Sequence, residues 1–119
     1  MRRVTELFHL TEASTWEAAK AAGEYRQSTR GATFERVGFV HCGLRHQVRP
    51  VAEYIYADAD DIVLLVIDPG KLTAEVKFEP GEPGGTEEFP HVYGPVPVDA
   101  VVDVIPVTRD GTGRMVLPE

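Results

Sequence analysis

Three histidines sit in short apolar stretches of the chain. They are His9 in Leu7-Phe8-His9-Leu10-Thr11, His41 in Val37-Gly38-Phe39-Val40-His41-Cys42-Gly43, and His91 in Phe89-Pro90-His91-Val92-Tyr93-Gly94. Histidine is the side chain best suited to moving a proton or holding a ligand near neutral pH, so the three are read as one candidate site. Each also has a plain structural explanation. His9, on an otherwise apolar strand, fits a satisfied core or edge histidine. His41 has a glycine to either side, Gly38 and Gly43, which lets a ligand or another backbone come close. His91, beside Tyr93-Gly94, fits a pocket rim, and His46, between Arg45 and Arg49, fits a solvated turn.

The only cysteine, Cys42, follows His41 directly. Strand alternation turns neighbouring side chains to opposite faces, so Cys42 and His41 point apart. A lone cysteine makes no internal disulfide and no thiolate zinc cluster, and its usual role is that of a small buried hydrophobe. No metal is expected. The chain has no redox cysteine pair, phosphate-binding glycine loop or nucleophile elbow. Glu79, Glu87 and Glu88 precede the His91 stretch and supply carboxylates; Glu87 and Glu88 read as a solvated loop face.

The elements that must position these residues follow from periodicity. Val4 to Leu10 reads as a first strand. Ser14-Thr15-Trp16-Glu17 fits a capping box, Trp16, Ala19 and Ala22 recur at helical spacing, and Gly23 suits a left-handed cap, predicting a helix over 15–22. Residues 24–36 read as a surface loop with its turn at Ser28 to Gly31 and Phe34 as an anchor. Val37 to Cys42 reads as a strand, 44–48 as a turn, and 50–56 as a helix with Pro50 at its first position. Ile62-Val63-Leu64-Leu65-Val66-Ile67 is an unbroken apolar run, expected to be the central strand covered on both faces. Ala74 to Glu79 alternates as a half-buried strand, and Pro80 to Glu88 reads as a flexible loop. Pro95 to Ala100 reads as a turn, Val101 to Val107 as a strand beside the central one, and Met115 to Leu117 as a terminal edge strand.

At 119 residues the chain is long enough for one core and is expected to be a single domain over residues 1–119. It has no apolar run of transmembrane length, and its N-terminal residues lack the apolar segment of a signal peptide, so a cytoplasmic location is expected. Nineteen acidic against 12 basic residues give a formal net charge of −7, which speaks against duplex DNA or a membrane surface as partner. Arg26, Arg30, Arg36, Arg45 and Arg49 nonetheless concentrate in the first half, where an anionic ligand would be met unless they are simply solvated charges.

Six motifs in chain order carry a resemblance. They are Phe8-His9-Leu10-Thr11; Trp16 with Ala19 and Gly23-Glu24-Tyr25; Gly38-Phe39-Val40-His41-Cys42 followed by Gln47; Leu64-Leu65-Val66-Ile67-Asp68; Phe78-Glu79; and Phe89-Pro90-His91-Val92-Tyr93-Gly94. From about Leu7 to Val107 the chain resembles the domain of unknown function 952 family. One departure is Gly43, where that family usually has serine after the His-Cys pair; a ligand bound through that hydroxyl would be held less well here or by a neighbouring group. The resemblance implies a fold like that of the ADP-ribosyltransferases and RNA 2'-phosphotransferases, whose cleft lies between two small sheets. There a first-strand histidine, placed like His9, contacts a ribose, and a second-strand motif, placed like Val40 to Gly43, completes the pocket. The glutamate often found at the third position has no clear counterpart, and His91 or Tyr93 occupies its neighbourhood.

The expectation is an α+β domain of ADP-ribosylation-like split small sheets with two short helices. Two functional readings stand side by side. One is an enzyme of ADP-ribosyl-transfer type that takes NAD or ADP-ribose. In it His41, His91 and Glu79 are the candidate catalytic groups, and His9, Thr11, Tyr25, Ser28, Phe39, Gln47 and Tyr93 the candidate ligand contacts. The other is a non-catalytic module that binds a small ligand or a protein through a histidine-lined pocket. A purely structural partner is a third reading, and it requires an exposed apolar patch.

Overall fold

The computed structural model describes residues 6–117. The chain begins with strand β1 (Leu7–Glu12), and residues 4 and 5, expected to open that strand, lie outside the described residues. Helix α1 (Ala13–Ala22) follows without a loop. The expected capping box is not formed: β1 stays paired through Glu12, and the Ala13 amide donates to the Asp61 carbonyl at 2.9 Å, so Ser14 falls inside the helix. At the other end Gly23 takes the left-handed conformation (φ 89°) and its amide bonds the Ala19 carbonyl, as its position suggests.

Residues 24–36 are ordered, contrary to the loop expected there. β2 (Glu24–Tyr25), β3 (Gln27–Thr29), β4 (Ala32–Thr33) and the short helix α2 (Phe34–Val37) occupy them. Such two- and three-residue strands are too short to show a period, and β2 finds its partner far away in β9 (Val96–Pro97), itself within the expected Pro95–Ala100 turn. Helix α2 also consumes the start of the expected Val37–Cys42 strand. Thr33 caps it, Gly38 ends it at φ 99°, and only Val40–His41 remains as strand β5. Helix α3 (Val48–Ile55) begins two residues earlier than expected, continuing a 3-10 turn at Arg45–Gln47. Pro50 therefore lies in its first turn, where a missing N–H breaks no helical bond.

The apolar run becomes β6 (Ile62–Ile67), every residue of which is buried. It lies between β1 and β10 (Val101–Arg109), antiparallel to both, and β11 (Met115–Val116) completes the order β1-β6-β10-β11. Its two faces feed two cores. Val63, Leu65 and Ile67 pack with Leu7, Trp16, Ala19, Tyr25 and Val92, whereas Ile62, Leu64 and Val66 pack with Phe8, Leu10 and the α3 residues Val48 and Ala52. A second sheet has the order β5-β8-β7, from β7 (Val76–Pro80) and β8 (Glu88–Val92). The α+β class and the small separate sheets are as expected, with more and shorter strands and a third helix, α2.

One reciprocal pair of backbone bonds ties the sheets together. The Phe8 amide donates to the Gly43 carbonyl at 2.8 Å and the Gly43 amide to the Phe8 carbonyl at 2.7 Å. Gly43 does not need to be glycine: its φ is not positive, and an added Cβ meets nothing closer than Gln47 Cβ at 3.5 Å. At Gly94, by contrast, a Cβ would lie 2.6 Å from that of Ala74. Urea unfolding should therefore show Gly43→Ser within about 0.5 kcal/mol of the parent, and Gly94→Ala destabilised by about 1–3 kcal/mol through overpacking. A large loss on Gly43→Ser would mean that the seam has no room for the hydroxyl.

Candidate functional site

The β5-β8-β7 sheet has one apolar face and one polar face. Val40, Cys42 and Val92 point into the first core. The register His41↔His91↔Lys77, with Glu79 opposite Phe89, brings the histidines, Glu79 and Phe89 together on the other face. Alternation thus separates His41 from Cys42 as the sequence implied. Cys42 is buried, and burial pushes its thiol up to about 12, which leaves it inert as a nucleophile.

Aromatic rings line the polar face. Phe39 stacks on His91 with centroids 4.0 Å apart and planes 15° apart; the rings of His41 and His91 are 4.8 Å apart, and Phe89 lies 5.1 Å from His41. Behind His91, Glu79 Oε1 is 2.9 Å from His91 Nδ1 and accepts the Tyr93 hydroxyl at 2.5 Å. The Tyr93 hydroxyl, and next the imidazole, hold the Glu79 carboxyl below its usual range. Glu79, His91 and Tyr93 are one hydrogen-bonded group.

His9 is placed differently. Its Nδ1 is 2.6 Å from the His41 carbonyl, which can only accept, so Nδ1 carries the proton and Nε2 accepts from the Tyr25 hydroxyl at 2.6 Å. Thr11 in turn bonds the Tyr25 oxygen. All three side chains are buried. Thr11, Tyr25 and His9 therefore form a satisfied internal chain that ends on the backbone of His41, and both His9 ring nitrogens are occupied by the protein. Burial lowers His9 to about 4, and burial with a smaller contribution from His91 lowers His41 to about 4, so both rings are neutral at pH 7.

The ring of His41 has no hydrogen-bond partner among the described residues, and it stands where two spaces meet. One is a tight pit of about 20 Å³ on the seam between the sheets, lined by Phe8, Thr29, His41, Gly43, Val48 and Leu64 among others. That is room for about one water molecule. The other is an open basin of about 840 Å³, whose walls are His41 and Phe89, Val51, Tyr54 and Ile55 of α3, and the segment from Gly81 to Glu87. Thr29 reaches both spaces.

Of the remaining candidates, Ser28 is buried with its hydroxyl unpartnered, and Phe39 covers His91. Gln47 is a strut: its Oε1 accepts the Leu44 amide, and its Nε2 donates to Glu87 and to the Glu88 carbonyl. His46 is exposed, as expected. The basin walls Tyr54, Glu82 and Thr86 were not singled out from sequence. Tyr54, 89% exposed on a helix, was the one legible signal among them. Four of the five clustered arginines lie in ion pairs: Arg26 with Glu24 and Glu35, Arg30 with Asp58, Arg45 with Glu6, and Arg49 with Glu53. Among the described residues, no helix is long and apolar enough to cross a membrane.

The model of the family described as "Protein of unknown function (DUF952)" matches residues 10–104. Among solved structures, the chain is similar to the X-ray structure of CC0527 from Caulobacter crescentus, at 27% identity over 93% of each chain with a TM-score of 0.78. The solution NMR structure of the same protein gives 25% identity over 92% of this chain and 90% of that one, with a TM-score of 0.74. No curated protein matches the chain.

The two lowered histidines give stability a defined pH dependence. An unfolded chain protonates them near the ordinary 6.5, whereas the folded chain resists down to about 4. The unfolded state thus binds more protons in that window, and stability falls as pH drops from 6.5 toward 4, by up to about 1.4 kcal/mol per pH unit for each ring. Urea unfolding across this range should show that slope, and His41→Asn should remove roughly half of it. Parallel slopes for the two proteins would mean that His41 is not held neutral by burial.

Proposed function

The chain belongs to the DUF952 family, which carries no assigned activity, and we propose that its function is to bind a small ligand in the basin beside His41. One observation carries this reading: a neutral imidazole with no internal hydrogen-bond partner stands at the mouth of the pit and in the wall of a basin of about 840 Å³. That volume suits a small organic molecule. The rings of Phe89 and Tyr54 offer apolar faces, Thr29 and Thr86 offer hydroxyls, and Glu82 and Glu87 make the wall acidic. No lysine or arginine lines it among the described residues. These features favour a neutral or cationic ligand with a planar ring and hydroxyl groups over one with a diphosphate, which calls for cationic donors.

The ADP-ribosyl-transfer reading draws support from the placement of His9 against the backbone of His41 at the seam of two small sheets. Against it, Glu79 does not line the basin, and NAD and ADP-ribose would bring their diphosphate to acidic walls. Calorimetric titration with nicotinamide riboside, ADP-ribose and NAD separates the readings. Nicotinamide riboside, a cationic ring on a ribose, should bind most tightly, and His41→Ala should weaken it about tenfold, the equivalent of one hydrogen bond. ADP-ribose binding more tightly than the riboside would refute the proposed ligand class, release of nicotinamide from NAD would establish cleavage of the nicotinamide–ribose bond, by water or by transfer, and no heat with any of the three would remove the binding reading.

A further inference from the structure

His91 is left unused by a ligand that touches only His41. It is 2% exposed, and its Nε2 is buried without a hydrogen-bond partner. A buried ring nitrogen in that condition loses its hydration with nothing in return, which proteins rarely tolerate without a use for it. The other nitrogen is committed. Glu79 also takes the Tyr93 hydroxyl, and its carboxylate can only accept, so Nδ1 carries a proton and, in the neutral ring, Nε2 carries the lone pair. The group is an acceptor in need of a donor.

One face of the His91 ring is covered by a side chain. Phe39 lies flat on the ring, half-buried itself, in the two-residue bend between α2 and β5 and outside any strand ladder. The preceding Gly38 is left-handed and stands in open space, since an added Cβ would meet nothing within 4 Å. On the same face the ring of His41, already in the basin wall, is 4.8 Å from that of His91.

We propose that Phe39 is a gate, and that His91 Nε2, backed by Glu79 and Tyr93, is a second ligand-binding point that accepts a hydrogen bond from a ligand hydroxyl once the gate turns aside. The ligand is then held at two imidazoles, its ring in the basin and a hydroxyl on His91, and the fitting class is a ring that carries a sugar or other polyol. This rests on the basin reading above. The ionised Glu79 adds a favourable charge behind the imidazole as Nε2 draws on the hydroxyl proton.

The probes are nicotinamide riboside and 1-methylnicotinamide, which share a cationic ring and differ in the ribose hydroxyls, followed through the 15N resonances of the histidine rings. The riboside should shift His91 Nε2 and His41 together, and 1-methylnicotinamide should shift His41 alone. Phe39→Ala should tighten the riboside at least threefold, because the ring no longer has to be displaced, and should leave 1-methylnicotinamide unchanged. Phe39→Leu, which keeps an apolar cover but no stacked ring, serves in its place if the alanine variant does not fold. A response at His41 with none at His91 overturns the gate and leaves the basin reading standing; silence at both rings removes both. Equal weakening of the two probes by the Phe39 variants marks the ring as a structural roof only, and overturns the proposal.

Discussion

Two backbone hydrogen bonds between Phe8 and Gly43 decide where everything else goes. β1 is an edge strand of the larger sheet, and the chain after β5 is the edge of the smaller one. By meeting at one residue pair, the two edges cap each other and bring the His41 carbonyl to within 2.6 Å of His9. An exposed edge is a hazard in any β-protein, and here a single point of contact covers it while the sheets remain free to diverge around a cleft. The pit beside His41 is the space that this divergence leaves.

Two groups of buried polar side chains flank that seam, and they differ in how well they are satisfied. Thr11, Tyr25 and His9 donate in sequence, with every ring nitrogen and hydroxyl of the chain used, and they hold the β5 backbone in place from the core side. On the opposite face Tyr93 and His91 instead both donate to the Glu79 carboxylate, and His91 Nε2 is left without a partner. Polar networks in a low-dielectric interior are costly when incomplete, so the contrast is informative: the first group acts as scaffold, and the second has capacity left over.

Much of this arrangement was legible in the residues. The apolar run 62–67 marks the central strand, and period-two alternation by itself places His41 and Cys42 on opposite faces. Gly23 marked the end of the first helix. The segments that escaped notice are those fixed by distant partners. β2 exists only because β9, some seventy residues later, lies beside it, and neither is long enough to show a period. The Ser14 capping motif failed for a related reason: a tertiary bond from Ala13 to Asp61 had already settled the helix start. At the site, sequence pattern singled out three histidines that the fold gathers near one seam, but it could not show that His9 has both nitrogens occupied while His41 has neither. Such differences depend on which hydroxyl or carbonyl arrives from another strand.

The Gln47 strut also has a mechanical side. A carboxamide is planar, and this one bonds at both ends: to the Leu44 amide that precedes the turn into α3, and to Glu87 and Glu88 at the entry to β8. Helix and loop form facing walls of the basin, so one rigid group of fixed length spans them from behind. The mouth of the basin is therefore tied to the helix on the side nearest the seam, whereas Gly81 and Gly85 bond only within their own loop, to the Glu87 and Glu82 carbonyls. Any change in the shape of the basin falls to that glycine-bearing rim, as in a vise with one fixed jaw and one sprung jaw.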